Sequence, residues 1–270
     1  MKKNLVGIVQ GRLSKAPHKR LQVFPKNFET EFKTANLITY DYIELIAERK
    51  KNNNNPIWTN HGNKKYIQLS KKYNKKLLNF CDDHAISQSI LGNYYHKYFI
   101  QLLKILNSLK IKNFILPLYG KSQITDNNYL MFNKKLNSLA KIASSKRINL
   151  LIESNISPNT FRKLSAYKKK NFLFVFDTGN RANLKKNNLY SDIVDFGKKI
   201  GLVHLKDKNS SNQNVKFGNG IVNFNKIFIS LKKINYKRNF TIESVRGKRP
   251  EITAKRNLVF FKNLINKKLN

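Results

Sequence analysis

The sequence contains one cysteine, Cys81, among 270 residues. An intramolecular disulfide is therefore excluded, and so is a zinc site built from clustered cysteines. Cys81 itself reads as a small buried apolar residue. No apolar run approaches the ~20 residues that a membrane-spanning helix needs. The apolar part of Met1–Gln10 is too short for a signal peptide and reads as a strand instead. The expectation is a soluble, cytoplasmic protein with no membrane association. Acidic residues are also scarce: 15 Asp and Glu stand against 53 Lys and Arg, a formal net charge of +38.

Such a charge, taken alone, suggests a polyanion as partner. Its distribution argues otherwise. The excess is nearly all lysine, it runs along the whole chain, and it is accompanied by many asparagines. Nucleic-acid binders cluster their positive residues and use arginine for base and phosphate forks. The charge is read first as a compositional bias towards Lys and Asn, so nucleic acid is not the expected partner. The remaining reading is a field that draws in anionic small molecules such as sugar phosphates.

A chain of this length can bury a large core and fits one α/β barrel as well as two smaller domains. Short apolar runs alternate with amphipathic stretches from end to end. The predicted strands are Leu5–Gln10, Tyr42–Leu45, Leu77–Cys81, Asn113–Leu118, Asn149–Glu153, Phe172–Asp177, Ile200–Lys206 and a run ending at Glu243. Predicted helices cover Asn27–Asn36, Lys64–Tyr73, Tyr94–Leu109, Asn128–Lys146, a short piece from Ser157–Pro158, Tyr190–Lys199, Phe224–Ile234 and Glu251–Lys267. Residues Lys50–Asn63, with the run Asn52–Asn55, read as a polar loop. Near-continuously apolar strands alternating with helices indicate a parallel sheet buried on both faces. Eight such units in 270 residues predict an α/β fold, a single (β/α)8 TIM barrel, with no linker that would divide residues 1–270 into domains.

Four of the strands end on residues that are expensive to bury. These are Glu153 after NLLI, Asp177 after FLFVF, His204 after LV and Glu243 after FTI. A carboxylate or imidazole there needs a partner or a metal ion. One would mean little, but four at successive strand ends suggest one convergent site at the C-terminal ends of the strands. Three carboxylates and one imidazole suit a divalent cation of the Mn²⁺, Mg²⁺, Co²⁺ or Zn²⁺ kind. A helix cap or an ion pair is the alternative for each carboxylate and is open at this point.

The order of these pieces resembles the xylose-isomerase-like TIM barrels, the group of sugar and sugar-phosphate isomerases and epimerases, inosose dehydratases and apurinic-site endonucleases. The resemblance runs the full length. It rests on Gly7–Ser14 (GIVQGRLS), Tyr42–Glu44, Cys81–Asp83, Glu153, Phe176–Asn180 (FDTGN), Val203–Asp207 (VHLKD), Gly218–Gly220 with Val222–Phe224, and Ile242–Glu243. It implies one divalent metal ion held by Glu153, Asp177, His204 and Glu243, with Glu153 and Glu243 also serving as catalytic acid and base on opposite sides of a sugar or sugar phosphate. The chemistry is coherent: taking a proton from carbon beside a carbonyl needs a base and positive charge for the enediolate. Relatives commonly associate, so a homo-oligomer is implied too.

Further residues are placed around that centre as substrate contacts. Gln10 and Arg12 either reach a substrate hydroxyl or phosphate or brace the barrel mouth. Lys206, two residues after His204 and so on the same strand face, either meets substrate oxygens or pairs with a ligand carboxylate. His84 and Asp83 stand at a strand end, Asn180 follows Asp177, and Arg246 with Lys248 could face an anionic substrate end. Asp207 reads as a support of the site or a cap of the next loop, and Glu44 as structural. His18, His61 and His96 carry no signal. The chain departs from some relatives at Asn180, where they have His. With five histidines in all, and none in Lys208–Gly220, the trinuclear site of the endonucleases is hard to assemble. The expected activity is thus a metal-dependent sugar isomerase or epimerase. A dehydratase-like lyase on the same site is the alternative, and a nuclease or a barrel that only binds its ligand stands behind both.

Overall fold

The structure is a computed structural model in which residues 4–16, 21–184 and 188–269 are described; His18 lies outside them. Eight parallel strands close into a barrel in chain order: β1 (Val6–Val9), β2 (Tyr42–Ala47), β3 (Asn79–Asp82), β4 (Asn113–Pro117), β5 (Asn149–Glu153), β6 (Phe172–Asp177), β7 (Ile200–Leu205) and β8 (Phe240–Ile242). Their residues are almost all buried, as expected of strands covered on both faces. The main intervening helices are α1 (Phe28–Ile38), α2 (Asn60–Lys72), α3 (His84–Ser87), α4 (Asn93–Ser108), α5 (Tyr129–Ser145), α6 (Pro158–Lys163), α7 (Thr178–Ala182), α8 (Leu189–Phe196) and α9 (Phe224–Lys233), with α10 (Pro250–Lys268) closing the chain. No helix among the described residues is long and apolar enough to cross a membrane.

The abundant asparagines help to start helices. Asn27, Asn188 and Asn223 accept from backbone N–H groups in the first turns of α1, α8 and α9. The second helix begins at Asn60, not at Lys64, because Thr59 caps the N–H of Gly62 at 3.0 Å. Within the expected 50–63 loop, Asn55 accepts from Ile57 and donates to the carbonyl of Ile46 at 2.8 Å, so part of that polar run is built in. The short helices α3 and α7, directly after β3 and β6, were not foreseen.

Two compact units can be traced: the segment ending at Ile43 together with that beginning at Phe174, and Glu44–Leu173. In the first, Tyr42 lies fully buried with its hydroxyl donating to the Phe240 carbonyl and 2.7 Å from Thr241 Oγ1. Gly7 makes room for its ring, since a Cβ there would fall 2.1 Å from Tyr42 Cε2. In the second, three strands begin with asparagine, and β3, β4 and β5 align them in register. Asn149 donates to Asn113 at 2.9 Å, Asn113 to Asn79 at 2.8 Å, and Asn79 to the Glu44 carboxylate at 3.2 Å. The result is a polar ladder across the N-terminal ends of these strands, which satisfies the buried amide of Asn79 and ties it to the half-buried amides of Asn113 and Asn149.

Candidate metal centre

The site is built where the strands end. Asp177 is the last residue of β6, His204 is the last but one of β7, and Glu243 follows β8, its N–H still bonded to the Leu205 carbonyl at 2.9 Å. All three are buried. His204 Nδ1 lies 3.1 Å from Glu243 Oε2. Lys206 Nζ joins the carboxylates, 2.8 Å from Asp177 Oδ2 and 2.7 Å from Glu243 Oε1. The other oxygen of Asp177 accepts from the N–H of Asn180 at 2.7 Å and so caps α7. Arg12 NH2 stands 3.8 Å from Glu243 Oε1 and donates to Gln22 Oε1 at 2.8 Å. Burial alone would push the Glu243 carboxyl up; Lys206, with His204 and Arg12, outweighs it and holds the group well below the usual carboxylate range.

Glu153, the last residue of β5, completes the set. Glu153, Asp177, His204 and Glu243 each offer one ligand atom, and these atoms all lie within 4.8 Å of one another. Four ligand atoms this close to one another could share one divalent cation. The chemistry of the set fits as well: oxygen and imidazole donors with no thiolate suit the divalent ions named above. Tyr119, just after β4, donates to Glu153 Oε1 over 3.4 Å.

The loop after β1 is tied down by Arg246 and by Glu31, a residue that the sequence does not single out. Glu31 of α1 accepts from the N–H groups of Gly11 (2.6 Å) and Leu13 (3.1 Å) and from the Ser14 hydroxyl (2.7 Å). Burial raises its pKa, against the pull of Ser14, of those two N–H groups and of Arg246. Arg246 donates from Nε to the Gly11 carbonyl at 2.6 Å and from NH2 to the Leu21 carbonyl at 3.0 Å. Gly11 has φ +85°, and a Cβ on it would collide with the Val23 carbonyl. This frame carries Arg12 towards Glu243. The readable signal was the sequence GRLS itself; a glutamate twenty residues away gives none.

The pattern of the xylose isomerase-like TIM barrel family matches residues 32–264. The chain belongs to this family. None of the curated proteins matches it in sequence. Among solved members of the same fold, a D-psicose 3-epimerase from Clostridium cellulolyticum H10, solved with D-tagatose, is 13% identical with a TM-score of 0.75, over 97% of this chain and 99% of its own. An IOLI protein with a bound zinc atom is 15% identical, TM-score 0.73, over 98% of each chain. A D-allulose 3-epimerase from Methylomonas sp., in complex with D-allulose, is 18% identical, TM-score 0.70, over 97% and 98%. At these identities the likeness establishes the xylose isomerase-like fold.

Within that fold the remaining predicted residues fall into distinct settings. Arg12 and Lys206 reach Glu243, Lys206 by the ion-pair alternative considered for it. Gln10 is buried at the end of β1. Asn180 sits in α7 with its N–H on Asp177. His84 has Nδ1 3.0 Å from the Arg49 carbonyl and Nε2 3.2 Å from the Tyr94 hydroxyl, within a cluster formed with Tyr98. Arg246 holds the β1 loop, while Lys248 is exposed. Asp207 caps the following loop: Oδ2 accepts from Gly218 (2.9 Å) and Gly220 (3.1 Å), and Oδ1 from Val222 (3.3 Å).

Proposed function

We propose that the protein is a metal-dependent sugar or sugar-phosphate isomerase or epimerase that moves a proton at carbon beside a carbonyl. The observation that carries this reading is the buried set of Glu153, Asp177, His204 and Glu243, with ligand atoms within 4.8 Å, at the strand ends of a xylose isomerase-like barrel. The solved sugar epimerases of the same fold support it. A bound divalent cation would supply positive charge to the substrate oxygen that becomes negative as the neighbouring carbon loses its proton. Glu153 and Glu243 are the proposed acid and base, one removing the proton and the other returning one. Arg12 and Lys206 supply donors beside Glu243 for substrate hydroxyl or phosphate oxygens, with Gln10, Asn180, His84 and Arg246 as further candidates around them.

The test is solvent exchange. The protein, supplied with Mn²⁺ in D2O, is incubated with ketoses and ketose phosphates, and the C–H signal beside the carbonyl is followed by NMR. Wild type should wash deuterium into at least one of them, and Glu153→Gln and Glu243→Gln should each lose at least ~100-fold of that rate. Elemental analysis should show one divalent ion per chain, lost or much weakened in the double variant. Absence of exchange on every ketose would sink the proposal, and a new ultraviolet-absorbing product would redirect it to elimination of water.

A further inference from the structure

Lys206 is seated by its surroundings. Its N–H donates to Thr178 Oγ1 at 2.9 Å, and the Thr178 hydroxyl donates in turn to the Lys206 carbonyl at 2.6 Å. Gly179 leaves the room that its stem fills, for a Cβ there would stand 2.8 Å from Lys206 Cγ. Its ammonium is thereby brought within 2.8 Å of both Asp177 and Glu243, all three side chains being buried. At such distances the charges neutralise one another, and an unbalanced carboxylate pair in the same place would be costly. Those two carboxylates also belong to the group able to hold a cation.

We propose that Lys206 is a resident counter-cation, which holds Asp177 and Glu243 together in the metal-free protein and sets the affinity of the site by opposing the ion that enters. The inference rests on the metal reading above. An incoming divalent ion must either displace the ammonium or bear its repulsion. In both cases the lysine steadies the empty site and weakens the filled one. The chain thus gains a centre that is folded and aligned before it is loaded, at the expense of binding strength.

The experiment is a calorimetric titration of the metal-free protein with Mn²⁺, for wild type, Lys206→Met and Gly179→Ala, beside urea unfolding of each without metal. Lys206→Met should bind Mn²⁺ roughly tenfold or more tightly, the scale on which close charge pairs couple, and its metal-free form should unfold at lower urea. Gly179→Ala keeps the charge but shoulders the stem aside, so both changes should appear in smaller measure. Should Lys206→Met fail to fold without metal, unchanged Mn²⁺ affinity in Gly179→Ala would overturn the proposal. Equal binding by all three would overturn the counter-cation role alone. Failure of wild type and both variants to bind Mn²⁺ would overturn the metal reading itself.

Discussion

Replacing Asp207 by alanine tests how far one carboxylate organises the rim of the site. Its two oxygens accept from three backbone N–H groups, those of Gly218, Gly220 and Val222, across eleven to fifteen residues of chain. The first two are partly exposed and can turn to water, so each loss should cost about 1 kcal/mol. The Val222 N–H is buried and is left without its acceptor, which costs ~1–3 kcal/mol. The sum, about 3–5 kcal/mol, should lower the melting temperature by roughly 10 °C in a protein of this size. Asp207→Asn should cost less, because one oxygen remains as an acceptor. Urea unfolding gives the stability change, and hydrogen exchange read on peptides covering 208–223 gives its location: protection should fall there and stay unchanged in β1 and β8. A loss below about 1 kcal/mol, or exchange that rises everywhere equally, would refute the reasoning, since the carboxylate would then not be what holds the loop.

Three further outcomes follow from the packing. Gly7→Ala drives a methyl into the Tyr42 ring and displaces its hydroxyl from two partners, so urea unfolding should show a loss of about 2–4 kcal/mol, largely relieved by a smaller residue at position 42. Arg246→Leu should lose ~1–3 kcal/mol from two carbonyls left without their donor; an unchanged urea midpoint would free Arg246 for substrate. Asp82 has its pKa moved in the opposite direction to that of an ion-paired carboxylate. Burial raises its pKa above the ordinary value, against the pull of the Tyr95 and Tyr98 hydroxyls and of His84. A raised folded value makes its contribution complete below the unfolded pKa and lost as pH rises through the folded one. The advantage of wild type over Asp82→Asn in urea should therefore be larger near pH 4 than near pH 7, and the reverse order would refute the burial argument.

Strands β5 and β6 have the bounds expected from their apolar runs, because each is closed by a charged residue that cannot lie deeper in the barrel. The four strand-end residues were legible for the same reason. Less was visible where the determinant is distant in sequence. Glu31 looks like an ordinary first-turn acid of α1, and only the folded chain shows its carboxylate inside the β1 loop. Lys206 allows two readings from strand parity alone, and only the folded chain shows its ammonium beside Asp177 and Glu243. Nothing in the sequence around Glu44 points to its partner, and the fold shows its carboxylate accepting from Asn79. Helix α2 starts four residues before its predicted Lys64, because a polar Thr-Asn-His-Gly stretch hides a side-chain cap.

The asparagine ladder has a consequence for the opposite end of its strands. A hydrogen-bonded row of identical side chains is tolerant of sideways motion but not of a slip along the strand, since a shift by one would set an amide against Phe114 or Leu150. Asn149 and Glu153 are the first and last residues of one strand, separated by about 13 Å at ~3.3 Å per residue. The row therefore acts as a datum line: the height at which Glu153 emerges is measured from the floor of the sheet. Errors introduced at that floor, far from any ligand, would be read out as misplacement of a carboxylate at the top.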